Sequence, residues 1–305
     1  MNVYKNIENA IGNTPLVRLD NVEKKYALQG RLYAKVESLN AGGSIKDRVA
    51  KYMLDDAEAS GALKKGGTVI EPTSGNTGVG LALVCAVRGY KAVIVMPDSM
   101  SKERIKLIES YGAKVVLTDG KLGMQGSVAQ AKEILKSTPN AVIAGQFENP
   151  ANPKAHYETT APEIYESLGG KVDAFVAGVG TGGTVTGVGK FLKEKNPLVK
   201  IYAVEPKKSP LLSGGKAGAH AIQGIGANFI PNVLDTNIYD EVLTVSDENA
   251  LNMMRELGEL EGLFVGVSSG CAVYAGIQVA KNPKWKDKNI VVVLPDSGDR
   301  YLSLR

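Results

Sequence analysis

A chain of 305 residues, 44% of them hydrophobic, is long for one compact unit and natural for two lobes, each with its own core, around a shared cleft. The formal charge of +4 is spread along the chain, and its densest basic stretch, "KNPKWKDKN", lacks the interleaved aromatics that stack bases, which argues against nucleic-acid binding. No apolar run approaches the roughly 20 residues of a membrane span and the N-terminal stretch has no apolar core, so the chain is expected to sit in the cytoplasm, away from membranes.

In chain order, the first notable stretch is "NAGGSIKDR" (40–48), where Lys46 follows a Gly-Gly-Ser turn and precedes the amphipathic helical run "VAKYMLDDAEAS". Short β-branched runs then alternate with helical patterns: "TVIEPT" with "GVGLALVCAVRG", "KAVIVMP" with "SKERIKLIESYG", "KVVLT" with "SVAQAKEILKS". Their continuous apolar character predicts parallel strands covered on both faces. Asn and Pro cluster in "GQFENPANP" (145–153), where one lobe is expected to give way to the other. A second series follows: the strand "DAFVAGVG", the helix "VTGVGKFLKEK" and the strand "KIYAVEP". It closes with a strand "LFVG" entering "VSSG", the helix "CAVYAGIQVAK" and the strand "NIVVVLPD". Between them lies a long Gly-rich segment, 207–235, of a kind that more often forms a lid or substrate loop than a spacer. The prediction is α/β, with two doubly wound lobes and mainly parallel sheets.

Two cysteines, Cys85 and Cys271, show no C-x-x-C spacing and point to a reduced compartment, with Cys85 of "LALVCAV" in a core. His156 and His220 are the only histidines, and neither has a second candidate at ligand spacing, so no catalytic metal is expected.

Three strand-to-helix turns carry the chemistry. "GVGTGGTVTG" (178–187) combines glycines that let backbone approach an anion with a helix start whose N–H groups attract phosphate. It also fits G-x-G-x-x-G at Gly178, Gly180 and Gly183, with Glu205 some 20 residues on where a ribose-binding acid would stand, so a nicotinamide-dependent dehydrogenase is a rival reading. "GVSSG" (266–270) fits the G-x-S-x-G of a hydrolase with Ser268 as nucleophile, but both histidines precede the serine, which removes the proton acceptor that order requires. Its hydroxyls then either meet a ligand or only cap a helix. In "EPTSGNTG" (71–78), Thr73, Ser74, Asn76 and Thr77 offer neutral donors suited to a carboxylate.

A lysine at a helix start is usually solvated and stands at the wrong end of the helix dipole for stability. Positive backbone potential and partial burial would lower its pKa toward an amine nucleophile. Local physics leaves both readings of Lys46 open.

"IGNTPLVRL", "NAGGSIKDR", "EPTSGNTG", "GVGTGGT", "AVEP", "QGIGANFIP" and "GVSSG", in this order from end to end, resemble the cysteine synthase (O-acetylserine sulfhydrylase) family of fold-type II pyridoxal-phosphate enzymes. The resemblance implies a tryptophan synthase β-like fold with the active site in the cleft: a smaller mobile lobe, 40–146, and a larger one, 1–39 with 147–305. It implies pyridoxal 5'-phosphate held by Lys46 as Schiff-base lysine, by Asn76 at the phenolic oxygen, by Gly180, Thr181, Gly182, Gly183 and Thr184 at the phosphate, and by Ser269 at the pyridine nitrogen. Thr73, Ser74, Thr77 and Gln146 resemble the family's substrate-carboxylate binders. The implied reaction is β-replacement of O-acetyl-L-serine by sulfide to give L-cysteine, with Lys46 also the general base; cystathionine or lanthionine synthesis from serine or cysteine is the alternative. The family also implies a homodimer and, in some members, docking of the serine acetyltransferase C-terminal tail. The chain departs from the common pattern at Ala41, where proline is frequent, at Gly42 and Gly43, which are expected to loosen the loop, and at Asn228, where glycine is usual.

Overall fold

The computed structural model describes residues 3–73, 75–100 and 102–304. From the N-terminus, β1 (Leu16–Arg18), α1 (Asp20–Tyr26) and β2 (Arg31–Val36) lead to α2 (Lys46–Ala59). An alternating series follows: β3 (Thr68–Pro72), α3 (Asn76–Arg88), β4 (Lys91–Pro97), α4 (Lys102–Ser110), β5 (Lys114–Thr118), α5 (Gly123–Ser137) and β6 (Ala141–Ile143). Then come α6 (Ala151–Ala155), α7 (Ala161–Ser167), β7 (Ala174–Gly178), α8 (Gly183–Lys195) and β8 (Lys200–Pro206). The chain ends with β9 (Glu241–Val245), α9 (Asp247–Glu261), α10 (Val267–Ala280) and β10 (Asn289–Leu294). Among the described residues no helix is long and apolar enough to cross a membrane.

Chain contacts divide these elements into two units, Met1–Ile11 with Asn40–Asn152, and Gly12–Leu39 with Pro153–Arg305. The first holds a parallel four-stranded sheet in the order β5-β4-β3-β6. Val69, Ile70 and Ile94 are fully buried in it, as strands covered on both faces must be. The helix α3 buries every residue from Thr77 to Cys85 and stops at Gly89, whose φ of +74° is the left-handed cap. The turn Ile7–Ala10 joins this unit although the sequence-based division assigns 1–39 to the other lobe: buried Glu8 pairs with Arg88 at the end of α3, and Ile11 packs on the same core.

The second unit holds a six-stranded sheet in the order β1-β2-β10-β7-β8-β9, parallel throughout except for the β1–β2 pair. The charged residues of "RLYAKV" mask β2 in the sequence; Lys35 is buried there because its ammonium donates to the Thr14 carbonyl at 2.6 Å and to Glu163 at 2.6 Å. The expected strand at "LFVG" is not one. Residues 262–266 pass directly from α9 to α10 and pair through an isolated Val265–Ser297 bridge rather than as a strand of the sheet. From 207 to 240 no regular helix or strand forms, as the glycine content predicts.

One contact fixes where Lys46 starts its helix. The helices α2 and α3 pack so closely that a Cβ on Gly80 would stand 2.9 Å from the Lys46 carbonyl oxygen. Gly80→Ala gains about 1 kcal/mol of helix propensity but overpacks against immovable backbone at a cost of about 1–3 kcal/mol. Urea denaturation should therefore show a net loss of stability of about 1 kcal/mol; a more stable variant would contradict this packing.

Candidate active site

In the first unit the loop before Lys46 is pinned rather than loose. Gly43 takes φ +78° and donates to the Asn40 carbonyl at 2.8 Å, and the Gly42 N–H donates to Asp47 Oδ2 at 2.6 Å. A side chain at 42 would collide with that carboxylate, so the glycine pair is what lets Asp47 reach back over the turn. The Lys46 N–H donates to Ser44 Oγ at 3.2 Å, and Lys46 is half-buried while its neighbours Asp47, Arg48, Val49 and Ala50 are buried.

Thr73 follows the carboxyl end of β3, and its hydroxyl accepts the Gly75 N–H at 3.3 Å. Asn76 and Thr77 open α3. Ser74 lies outside the described residues. Gln146, 69 positions further on, comes back to this turn: the Thr77 hydroxyl donates to Gln146 Oε1 at 2.6 Å, with both side chains buried. This is possible because β6 is the parallel neighbour of β3, so the chain leaving β6 emerges beside the chain leaving β3. One residue escaped sequence reasoning. Glu71, buried at 1% exposure, accepts the N–H groups of Gly145 at 2.8 Å and Gln146 at 3.4 Å. Its signal in the sequence is a single acid inside the apolar run "TVIEP".

In the second unit the loop after β7 enters α8 through Gly182, at φ +85°. Gly180 lies against the Gly224 carbonyl with no room for a Cβ, so the segment "QGIGANFIP" is the wall of this loop. The buried Thr181 hydroxyl accepts the Gly183 N–H at 3.4 Å, and Thr184 Oγ1 lies 3.3 Å from Nε2 of buried His156, which belongs to a π-helical turn, His156–Thr160. The following helix has no side-chain cap from Gly182, and its first-turn amides beyond that of Gly183 suit an anion. Asn228 stands where glycine is usual because it too occupies the left-handed region, φ +64°, and its Oδ1 accepts the Ser209 hydroxyl at 2.7 Å.

Ser269 sits in the first turn of α10 and is completely buried, yet its Oγ finds no hydrogen-bond partner among the described residues. A buried hydroxyl left unpaired costs about 1–3 kcal/mol, so this one is built for a ligand atom. Gly266, which precedes α10, donates to the Asp296 carbonyl at 3.1 Å, just past the carboxyl end of β10, and β10 is the parallel neighbour of β7. Ser269 and the loop 180–184 therefore stand beyond adjacent strand ends. A neutral hydroxyl suits a pyridine nitrogen and an amide-rich helix start suits a phosphate, so these residues fit pyridoxal phosphate. They suit a dinucleotide poorly: Glu205 is committed within the chain to the Leu212 N–H at 2.7 Å, the Ser213 N–H at 3.0 Å and the Ser213 hydroxyl, where a ribose diol would need both of its oxygens.

Residues 7–296 match the family described as pyridoxal-phosphate dependent enzyme. The cysteine synthase of Staphylococcus aureus (strain N315) is 52% identical over 299 residues, 98% of this chain and 95% of that protein. Among solved structures, the cysteine synthase (OASS) of Entamoeba histolytica superposes with a TM-score of 0.96 at 42% identity, covering 99% of this chain and 90% of that one. A hydrogen sulfide-producing enzyme of Fusobacterium nucleatum gives 0.94 at 46% identity, covering 98% and 100%. The α/β architecture with mainly parallel sheets is shared with these structures.

Burial pushes the Glu71 carboxyl up from 4.5 to about 7, against the pull of the Gly145 and Gln146 amides. Between those values the folded chain holds a proton that the unfolded chain has released. Glu71 therefore favours the fold most at low pH, and this contribution is lost as pH rises through the window, by up to about 3 kcal/mol at roughly 1.4 kcal/mol per pH unit. In urea denaturation at about pH 5 and pH 7.5, the stability of wild type relative to Glu71→Gln should fall across the interval; a constant difference would refute the assignment.

Proposed function

We propose, given that this chain belongs to the pyridoxal-phosphate dependent enzyme family, that it makes L-cysteine and acetate from O-acetyl-L-serine and sulfide by β-replacement. One observation carries the choice of chemistry: the buried hydroxyl facing no partner among the described residues is the neutral Ser269, not an aspartate. When bound, the cofactor supplies an electron sink for the pair left at the substrate α-carbon. A serine does not hold a proton on the ring nitrogen, so that sink is weak and expulsion of a β-substituent is the natural outlet. The strong similarity to cysteine synthases gives the leaving group and the nucleophile.

Lys46 would hold the cofactor through Nζ, and the same amine, when free, would accept the substrate α-proton as general base. Lys46 opens α2, at the end of that helix where the backbone N–H groups lie. Gly180, Thr181, Gly182, Gly183 and Thr184 bind the phosphate, Asn76 orients the ring through its oxygen, and Ser269 donates to the ring nitrogen. Thr73, Thr77 and Gln146 bind the substrate carboxylate, with Ser74 assigned to the same set. On this reading the lobe 40–146 carries the lysine and the substrate binders, and the larger lobe carries the phosphate cradle. Homodimer formation, a cytoplasmic location and docking of the serine acetyltransferase tail belong to the same proposal.

The purified protein should be yellow, and borohydride should fix the cofactor covalently on Lys46, located by peptide mass mapping. Lys46→Ala should lose at least about 1,000-fold in turnover while retaining its circular dichroism spectrum. A colourless protein that oxidises or reduces nicotinamide, or a Lys46→Ala variant of normal activity, would reject the proposal. Steady-state rates with O-acetylserine or serine, against sulfide or homocysteine, rank the substrate pairs.

A further inference from the structure

Where the chain leaves β6 it enters a turn, 144–146, in which every backbone N–H and carbonyl has a partner. The Ala144 N–H extends the β3–β6 ladder, donating to the Ile70 carbonyl at 3.1 Å. The Gly145 and Gln146 N–H groups donate to Glu71 at 2.8 and 3.4 Å, and the Gly145 carbonyl accepts the N–H groups of Glu148 at 2.9 Å and Asn149 at 2.8 Å. The two remaining carbonyls go to asparagine side chains of "GQFENPANP": that of Ala144 accepts from Asn149 Nδ2 at 3.0 Å, that of Gln146 from Asn152 Nδ2 at 2.7 Å. The asparagines are tied to each other as well. Asn149 Oδ1 accepts the Ala151 N–H at 2.9 Å, and the Asn149 carbonyl accepts the Asn152 N–H at 3.1 Å. All of these residues belong to the first unit.

We propose that Asn152 is a positioning residue for the amino-acid carboxylate: by holding the Gln146 carbonyl it fixes the backbone from which the Gln146 side chain meets Thr77 and the substrate. The proposal rests on the reading above that Thr77 and Gln146 bind that carboxylate. Gln146 belongs to no strand or helix, so no repeating ladder sets its place. A surface turn would leave its polar groups to water, but Asn152 is completely buried and Gln146 is 5% exposed. With Glu71 at its N–H and Asn152 at its carbonyl, the freedom left to Gln146 is rotation of its own side chain, which the Thr77 hydroxyl restrains by donating to Oε1 at 2.6 Å. A group held in place before the ligand arrives spares the ligand the cost of ordering it. The chemistry at position 152 is specific too. A carbonyl needs a donor, the asparagine amide brings one, and an aspartate of the same size would set acceptor against acceptor.

The test is a double-mutant cycle in cofactor-loaded enzyme. The dissociation constant of unreactive L-alanine, read from cofactor absorbance and by calorimetry, is measured with kcat and KM for O-acetylserine in wild type, Asn152→Ala, Gln146→Ala and the double variant. Asn152→Ala should weaken alanine binding and raise KM about 10-fold, the effect of one hydrogen bond, with kcat changed less than about 3-fold and cofactor content retained. In the Gln146→Ala background the same substitution should add less than about 2-fold, because Asn152 acts through Gln146. Asn152→Asp, equal in size but without the donor, should be impaired at least as much as Asn152→Ala. An aspartate variant near wild type would mean that only packing matters at 152 and would overturn the proposal. Asn152→Asp carries the test alone where Asn152→Ala does not fold; failure of both to fold gives Asn152 a purely structural role and overturns the proposal as well. Unchanged alanine binding, or effects that multiply in the double variant, do the same. Wild-type enzyme that binds no amino acid, or a Gln146→Ala variant of unchanged affinity, overturns the carboxylate-site reading and the proposal together.

Discussion

Parallel strands can be joined only by crossovers, so their carboxyl ends lie along one edge of each sheet, and each following helix begins there with N–H groups that the helix itself cannot satisfy. The candidate ligand-binding turns of this chain hang on that constraint. The turn after β3 supplies Thr73, Asn76 and Thr77, the chain leaving β6 supplies Gln146, and the turn after β7 supplies the proposed phosphate cradle. The first turn of α10 supplies Ser269 beyond the end of β10. Unsatisfied amides, a positive helix end and small residues recur at these places because an anionic ligand needs all three.

The two sheets handle the loops beyond their strand ends with the same device. In β3 and in β8 the strand finishes with Glu-Pro, Glu71–Pro72 in one unit and Glu205–Pro206 in the other. Proline brings no N–H to the ladder, and in both cases the buried glutamate before it takes up backbone N–H groups from elsewhere: Gly145 and Gln146 for Glu71, Leu212 and Ser213 for Glu205. A buried carboxylate is costly unless several donors surround it, and two consecutive amides are what a tight turn offers. The acid that mimics a ribose binder in the sequence is thus a loop clamp, and its counterpart in the other unit clamps the loop bearing Gln146.

Close backbone approach is the second device. Gly42 admits the Asp47 carboxylate, Gly80 admits the Lys46 carbonyl, and Gly180 admits the Gly224 carbonyl. Each glycine brings a ligand-binding segment against a support that a methyl group would push away. The turn before Lys46 is therefore held by hydrogen bonds where flexibility would be the expectation from Gly42-Gly43, and Asn228 keeps a left-handed conformation that its glycine counterpart would adopt at less strain.

Local chemistry is readable along a chain, and here it was: apolar β-branched runs marked the buried parallel strands, glycine and hydroxyl-rich turns marked helix starts, and the order of motifs marked the family. Strands whose alternation is interrupted by charge, such as β2 with its buried Lys35, were hidden because the charge is neutralised by Thr14 and Glu163 from distant positions. "LFVG" resembled a strand because hydrophobicity does not say whether a sheet edge is there to receive it. Sequence by itself determined which residues are candidates for the chemistry, since a lysine amine, a serine hydroxyl and a glycine backbone have their properties wherever they lie. Only the tertiary structure decided that Glu71 would take up the Gly145 and Gln146 N–H groups, that Thr77 would meet Gln146, that Glu205 would be occupied, and that the Ser269 hydroxyl would be left unpaired among the described residues. Those outcomes depend on which strands become neighbours, and strand order is set by packing between segments far apart in the chain, which no local pattern records.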